Sequence, residues 1–434
     1  MRGLIIDGFA GAGGASSGIA RAMGRDPDYA INHNAEALAV HEANHPNTVH
    51  LWGNIWDTNP TKLCAGRPVD VAWFSPDCRH FSRAKGGKKT SARVRSLASA
   101  VIPWAREARP RIIFMENVEE WKSWGPLDEN GDPVVRKIGL SFRTWHGKIK
   151  AQGYKTDMRM LRACDYGAPT NRKRLFFIAR RDGLPIVWPK PTHGPGLLPY
   201  RTAADCIDWS LPCPSIFEPG RDLVDATLRR VARGVRKFVI DAAEPFVIPV
   251  SHSGDDRVQS ISEPMRTITA SSRSPFALIS PSLVHLSTPG AQLDLPLSTI
   301  TTQDHHAVVQ VHTEANPDRS EQVWAFLSQY NGTSIGAQLN LPMPTVTTKD
   351  RFALVTVRGE QFRIADIGMR MLTPRELANG QGFPRDYIID RGPNGKTLSK
   401  TAQVRCIGNS VCPDVVEALV RANWSAVAAD RRVA

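Results

Sequence analysis

The stretch Leu4-Ile5-Ile6-Asp7-Gly8-Phe9-Ala10-Gly11-Ala12-Gly13-Gly14 decides the fold class of this chain. Its apolar start predicts a buried strand, its glycines predict a tight turn that a ligand can approach closely, and a helical pattern then continues to Met23. A strand that enters a helix through such a turn is typical of a site for a nucleotide-like cofactor. A turn without a ligand would need the same glycines, so both interpretations stay open at this point.

The alternation of strands and helices continues over the first ~180 residues. Further buried strands are predicted at Tyr29–Ile31, Val69–Phe74, Ile112–Met115 and Leu175–Ala179, with helices at Ala35–Asn44 and Leu97–Ala108. This pattern predicts an α/β fold with a mostly parallel, doubly wound, Rossmann-like sheet. In such sheets ligands bind beyond the carboxyl ends of the strands, so we expect the chemistry there.

The composition of the sequence changes after Gly183: prolines become frequent, and few long helices are predicted. The exception is a predicted helix from Leu223 to Phe238, which carries four arginines and a lysine. We therefore expect a domain boundary near residue 184.

The middle of the chain contains a repeat of the pattern Pro-x-x-Thr-Ile/Val-Thr, in three copies: Pro264–Thr269, Pro296–Thr301 and Pro342–Thr347. An apolar triplet follows each copy, which predicts repeated β-hairpin-like units. The repeat is either a structural duplication or a modular surface for DNA. In the second case, residues of equivalent turns would contact DNA: Arg273, His305, His306, Lys349 and Arg351.

The composition of the chain indicates what kind of partner it binds and in what kind of compartment it works. The chain has 434 residues with 55 Lys and Arg against 42 Asp and Glu, a net charge of +13, which favours a polyanionic partner, nucleic acid first. No apolar run approaches the ~18 residues of a membrane span, and the apolar start is too short for a signal peptide. The 7 cysteines are scattered without a CxxC pair, which argues against a disulfide scaffold or zinc knuckle and for a reducing compartment.

A cysteine leaves the end of one predicted strand, in Phe74-Ser75-Pro76-Asp77-Cys78-Arg79-His80. A thiol at a strand end beside a cation is where a reactive thiolate is expected, although an inert cysteine fits equally well. The basic loop Arg83–Lys89 follows. It is either a solvated surface or a segment that closes over a phosphate backbone.

Charged residues mark two further strand ends. Glu116 ends a mostly apolar run and is either a functional acid or a capped strand end. Arg172 and Arg174 lie before a predicted strand and should point to one face of it, unless they belong to a basic surface turn.

In this order, the motifs resemble those of the DNA (cytosine-5)-methyltransferases of bacterial or phage type. The glycine turn is similar to the family's AdoMet motif, Pro76-Asp77-Cys78 to its Pro-Pro-Cys loop and Glu116-Asn117-Val118 to its Glu-Asn-Val motif. Thr170–Arg174 is similar to Gln-x-Arg-x-Arg, Arg370–Leu377 with Gln381–Pro384 to the penultimate motif and Gly408–Val411 to the last. Each match is moderate, but six in the correct order are very specific.

The resemblance implies an AdoMet-dependent catalytic domain of residues 1–183 and 399–434. It also implies a smaller, mostly β target recognition domain of residues 184–398, with double-stranded DNA in the cleft between the two. The expected cofactor is S-adenosyl-L-methionine (AdoMet), without a metal. We expect a monomer in the cytoplasm of a bacterium or a phage-infected host cell, with a role in DNA modification.

The resemblance also assigns site residues. Those with a catalytic role are Cys78, Glu116, Arg172 and Arg174. Those that bind AdoMet are Asp7, Phe9, Ala10, Gly11, Gly13, Gly14, Asn32, Asn54, Ile55, Pro76, Leu97, Asn409 and Val411. Phe9 would pack on adenine, although a core aromatic is equally consistent. Those that contact DNA are Arg79, Ser82, Arg83, Lys85, Lys88 and Lys89, together with the turn residues of the repeat.

Four positions depart from the family pattern. Asp77 replaces the proline before the cysteine, Thr170 replaces the glutamine of the arginine motif, and Asn32 and Asn54 replace acids expected at the ribose and the adenine amine. The charge of Asp77 would raise the pKa of the neighbouring thiol, whereas that of Arg79 would lower it.

Three other functions share part of this pattern. An RNA (tRNA) cytosine-5 methyltransferase would keep the chemistry and change the acceptor. A catalytically inactive DNA-binding relative would explain the departures, but Cys78, Glu116, Arg172 and Arg174 are intact. A cysteine hydrolase would need a histidine partner, and only His80 lies near Cys78 in sequence.

Overall fold

The structure of the protein is a computed structural model that divides into two compact units. It describes residues 2–77, 96–218, 222–235, 246–249, 258–270, 275–285, 310–311, 319, 322–323, 326–327, 354–357 and 360–433. The first unit comprises residues 1–201, 266–272 and 377–434, and the second comprises residues 202–265 and 273–376.

A seven-stranded sheet forms the centre of the first unit, in the order β3-β2-β1-β4-β5-β7-β6. Its strands are β1 Leu4–Gly8, β2 Tyr29–Asn32, β3 Val49–Trp52, β4 Val69–Phe74, β5 Ile112–Asn117, β6 Lys155–Arg162 and β7 Lys173–Arg180. The first five strands are parallel, and β7 runs antiparallel between β5 and β6. The predicted doubly wound sheet is confirmed. The strand order reverses between β1 and β4, so a crevice is expected at their carboxyl ends.

The helices of the described residues belong to both units, and two apolar cores lie on the two faces of the first unit's sheet. The helices are α1 Gly14–Met23, α2 Ala35–Asn44, α3 Pro60–Cys64, α4 Val101–Pro103, α5 Leu140–Lys150, α6 Asp225–Gly234, α7 Pro374–Gly380, α8 Lys400–Asn409 and α9 Pro413–Val433. Successive strand residues face opposite sides, so Leu4 and Ile6 join one apolar core while Ile5 joins the other. Helix α9 packs in the core of Ile5.

Strands β3 and β6 were not predicted. Both lie at the edges of the sheet, with a neighbouring strand on one side only. Val49 and Trp52 of β3 are exposed, and β6 alternates half-buried residues with exposed ones such as Lys155 and Asp157. Such strands lack the continuous apolar run that marked the central strands.

The first unit takes in residues that the sequence placed in the smaller domain. Leu184, Ile186 and Trp188 pack against the core beneath α9. The side chain of Asn423 accepts a hydrogen bond from Val187 N and donates one to Val187 O. These contacts anchor the proline-rich stretch after β7, which explains why the compact unit continues to residue 201.

Within the described residues, the second unit contains a six-stranded sheet. Its sheet contains β8 Phe246–Pro249, β9 Gln259–Ser260, β10 Phe276–His285, β11 Gln310–Val311, β12 Leu354–Val357 and β13 Glu360–Met371. β10 begins just before the apolar triplet that follows the first repeat copy, Ala277–Ile279. The other two copies of the Thr repeat lie outside the described residues.

Two general features concern the described residues as a whole. None of their helices combines the length and the apolar character that crossing a membrane requires. The six described cysteines are free thiols.

Candidate active site

The glycine-rich turn joins the carboxyl end of β1 to α1 and has left-handed backbone at three residues: Phe9 (φ 66°), Gly11 (φ 55°) and Gly13 (φ 90°). A Cβ at Gly13 would overlap the Tyr387 hydroxyl, and one at Gly14 would overlap the carbonyl oxygen of Val411. At Gly11 the nearest described atom lies 3.9 Å from such a Cβ. The turn is therefore packed on one side and open at Gly11.

Asp7 lies in β1 directly before this turn and is completely buried. Its Oδ2 accepts a hydrogen bond of 2.7 Å from Ser16 Oγ in α1. Its Oδ1 has no hydrogen-bond partner among the described residues. Burial raises the pKa of Asp7 to about 7, because the charged carboxylate loses its hydration. The turn thus has a buried polar atom directly behind it.

A hydrogen-bonded chain of histidines leads to this carboxyl group. His41 Nε2 lies 2.8 Å from Ser16 Oγ, and His41 Nδ1 lies 2.8 Å from His50 Nε2. Burial holds the pKa of His41 well below its ordinary value of 6.5, and the neighbouring His45 and His50 lower it further. A neutral His41 can therefore accept at one ring nitrogen and donate at the other.

His45 lies one helical turn after His41 and forms a second branch of this network. Its Nδ1 is 2.8 Å from Asp26 Oδ1, and its Nε2 is 3.3 Å from Ser17 Oγ. Within the described part of the chain, no group of three His, Cys, Asp or Glu side chains could hold a metal ion. The sequence analysis missed this network, although the i, i+4 spacing of the two histidines was a signal for it.

Replacing Asp7 by asparagine is expected to change how stability depends on pH. The folded-state pKa lies above the ordinary 3.8, so the stabilisation from this group is complete below pH 3.8 and is lost as the pH rises through 7. Between pH 4 and pH 8 the unfolding free energy of the wild type should fall relative to Asp7→Asn, by about 4 kcal/mol. Urea unfolding of both proteins across this range measures the difference, and parallel pH curves would contradict the burial argument.

The two asparagines that replace expected acids cap local turns. Asn32 Oδ1 accepts a hydrogen bond of 2.8 Å from Asn34 N, and Asn54 Oδ1 accepts one of 3.2 Å from Trp56 N. Ile55, beside Asn54, is buried in the core, and Phe9 packs against that core while remaining half-buried. Both asparagine side-chain oxygens thus accept hydrogen bonds from backbone N–H groups. An amide makes these bonds without placing a negative charge there, as an acid would.

The carboxyl end of β5 carries a buried ion pair. Glu116 Oε1 lies 3.1 Å from Arg174 Nε, outside hydrogen-bond geometry, so the contact is mainly electrostatic. Glu116 is opposite Phe176 in the antiparallel β5–β7 ladder, and Arg174 is two residues from Phe176 on the same face. The strand register therefore decides that Arg174 reaches Glu116.

Arg172 does not share this contact. It is buried two residues before Arg174, beyond the end of β5, and its Nη1 donates to the carbonyl oxygens of Ile268 and Gly408, each at 3.3 Å. Arg172 lies just before β7, which begins at Lys173, and it bonds backbone carbonyls, whereas Arg174 pairs with a carboxyl group.

The last residue of β5, Asn117, also contacts the chain that leaves β4 and leads to Cys78. Asn117 Nδ2 donates to the carbonyl oxygen of Pro76 at 3.3 Å, and Asn117 Oδ1 accepts from Val118 N at 2.8 Å. Pro76 is buried, and Ser75 N donates to Gly8 O. The chain is therefore fixed up to two residues before Cys78, between the glycine turn and Glu116.

The C-terminal motif returns to the glycine turn. Val411 is buried, and its carbonyl oxygen lies against Gly14. Gln381 Nε2 donates to Ser410 O at 2.6 Å, whereas Asn409 is exposed. Leu97, one of the residues predicted to bind AdoMet, is half-buried, and Ala10 is buried in the turn.

The remaining predicted site residues lie outside the described residues. They are Cys78, the DNA candidates Arg79, Ser82, Arg83, Lys85, Lys88 and Lys89, and the repeat candidates Arg273, His305, His306, Lys349 and Arg351.

Comparison with known proteins identifies the family to which the chain belongs. The family described as C-5 cytosine-specific DNA methylase matches residues 4–197 and 292–423, which include all six motifs. Type II methyltransferase M.AgeI of Thalassovita gelatinovora is 33% identical over 249 residues, 56% of this chain and 52% of that protein. Type II methyltransferase M.AquIA of Picosynechococcus is 26% identical over 231 residues, 48% of this chain and 88% of that protein. The match thus spans about half the length of M.AgeI.

A solved structure supports the fold alone. The crystal structure of a Spodoptera frugiperda DNMT2 triple mutant has a TM-score of 0.55 and 16% identity, over 98% of this chain and 100% of that one.

Proposed function

We propose a reaction from one premise: the chain belongs to the family of C-5 cytosine-specific DNA methylases, which are AdoMet-dependent methyltransferases. The reaction is transfer of a methyl group from AdoMet to C5 of a cytosine in double-stranded DNA. The observation that carries it is the end of β5, where Glu116 pairs with Arg174 and Asn117 holds Pro76, two residues before Cys78.

The glycine turn fits a cofactor that packs against backbone. Gly11 leaves room on the open side of the turn, and Asp7 Oδ1 is a buried acceptor directly behind it. Residues of this turn would hold the methionine end, with Phe9 at the adenine. Ile55, Pro76 and Leu97 would line the adenine pocket. Bound AdoMet supplies an electrophilic methyl group on its sulfonium.

Cys78 would act as the nucleophile, because C5 of cytosine is a weak nucleophile within an aromatic ring. Attack of the thiolate on C6 forms an S–C6 bond, breaks the aromaticity and makes C5 an enamine carbon. After C5 is methylated, loss of the C5 proton and elimination of the thiolate restore the ring and free Cys78.

Glu116 would stabilise the charge that develops at N3 during this attack, as a proton donor, and would hydrogen-bond the exocyclic amine. Arg174 would hold the Glu116 carboxyl group in place, since the two side chains are already paired in a buried position. A base inside the DNA stack cannot reach such a pocket, so the cytosine has to be flipped out.

The net charge of +13 supports a nucleic-acid partner, and the basic residues after Cys78 would contact phosphates. We place the active protein in the bacterial cytoplasm as a monomer, because the matched type II relatives are bacterial and the predicted pocket is built from one chain.

Covalent trapping tests this function. With AdoMet and duplex DNA in which 5-fluorocytosine replaces cytosine, the wild-type protein should form an adduct that survives denaturing electrophoresis, because fluorine at C5 blocks elimination of the thiolate. Labelled methyl transfer to DNA and to tRNA, measured in parallel, separates the acceptors. Transfer to tRNA alone would replace the DNA function, and the absence of any adduct would support a catalytically inactive relative.

A further inference from the structure

A short segment, residues 266–272, belongs to the first unit although the chain on both sides of it belongs to the second. It begins inside the first copy of the Thr repeat. Thr170 Oγ1 donates to Arg266 O at 3.3 Å, and Arg172 Nη1 donates to Ile268 O at the same distance. The side chain of Ile268 is fully buried, whereas Thr267 and Thr269 are half-buried. Residues 266–270 of the segment are therefore held through backbone carbonyls, and the hydroxyls of Thr267 and Thr269 remain partly accessible.

Gly408 completes the seat of this segment. A Cβ at Gly408 would overlap the backbone of Thr269 and Ala270, so the segment and the end of α8 meet backbone to backbone. Arg172 donates to Gly408 O as well as to Ile268 O and so joins the two elements. We call Thr170, Arg172 and Gly408 the segment seat.

The chemistry of the seat depends on arginine. One nitrogen of its buried guanidinium, Nη1, donates to both carbonyl oxygens. Its two N–H bonds lie in the fixed plane of the guanidinium, whereas a lysine ammonium is a rotating group at the end of a flexible stem. Thr170 also contributes to the seat: its hydroxyl accepts a hydrogen bond from Arg172 N and donates one to Arg266 O. The threonine that replaces the glutamine of the family motif at this position therefore makes a specific hydrogen bond to the segment.

We propose that Arg172 is a positioning residue for DNA recognition, which fixes segment 266–270 at the strand end that carries Arg174. This rests on the proposed function. Arg174 would act on the base through Glu116, whereas Arg172 would set the position of the chain segment that leads in both directions into the recognition unit. Arg172 would then affect the use of DNA much more than the use of AdoMet.

Arg172→Met and Arg172→Lys test the proposal, with Lys173→Met as the matched control, because Lys173 is exposed on the opposite face of the strand. Loss of charged hydrogen bonds should lower kcat/KM for DNA by at least about tenfold in Arg172→Met, with only partial recovery in Arg172→Lys. AdoMet affinity should stay within about twofold of wild type. The ratio of methylation at cognate over non-cognate sites should fall in both variants.

Hydrogen exchange separates this inference from the proposed function. In Arg172→Met the amides of residues 266–270 should exchange faster than in the control, while those of β1 and β4 stay protected. This result would support the seat even if the wild type transferred no methyl group. Unchanged exchange of residues 266–270 would overturn the proposal, and so would an equal loss of AdoMet and DNA affinity, which indicates a general structural role.

Discussion

Replacing Cys78 by serine is expected to lower the rate of methyl transfer by roughly 10⁴-fold or more, because a serine hydroxyl is almost never ionised near neutral pH and is a poor nucleophile without a base. DNA affinity should stay close to that of the wild type, since the substitution exchanges one sulfur for oxygen. Single-turnover transfer of labelled methyl to DNA measures the rate, and a gel-shift titration measures the binding.

Cys213→Ser provides the matched control for this experiment. Cys213 is half-buried in the second unit, and its sulfur lies 3.9 Å from Leu278 O, so the same chemical change occurs in a different unit from the one that contains β4 and β5. It should leave the transfer rate unchanged. If Cys78→Ser turned over at the wild-type rate, the nucleophile would have to be another group.

The second large effect is expected for Glu116→Gln, which keeps the size of the side chain but removes a group that can pair with Arg174 as a carboxylate and donate a proton once it is protonated. The rate of methyl transfer should fall by about 10²- to 10⁴-fold, the usual contribution of a positioned general acid. The Arg174 guanidinium would also lose its buried counter-charge. A pre-steady-state burst of labelled product, recorded for both proteins, reports the chemical step directly.

Glu119→Gln is the control for Glu116→Gln, because Glu119 follows three residues later and is exposed. The control should retain the wild-type rate. A Glu116→Gln variant with an undiminished burst would remove the carboxyl group from the proposed mechanism and would leave Arg174 as a purely structural partner.

The sequence predicted the central strands and the motifs of the family because their signals are local. The apolar run of Leu4–Ile6 and the glycines behind it specify a strand and a turn through neighbouring residues alone. The helix Ala35–Asn44 was likewise predicted with the bounds that the structure gives it. The edge strands β3 and β6 escaped prediction, because solvent on one side leaves them no continuous apolar run.

The sequence by itself therefore determined the fold class, the order of the motifs and the residue types available for chemistry. Only the tertiary structure decided which of those residues meet. Arg174 pairs with Glu116 through strand register, whereas Arg172, two residues away, bonds carbonyls that lie 96 and 236 residues further along the chain. Periodicity encodes which face a side chain takes, but its partner depends on how distant segments pack, and no local pattern contains that information.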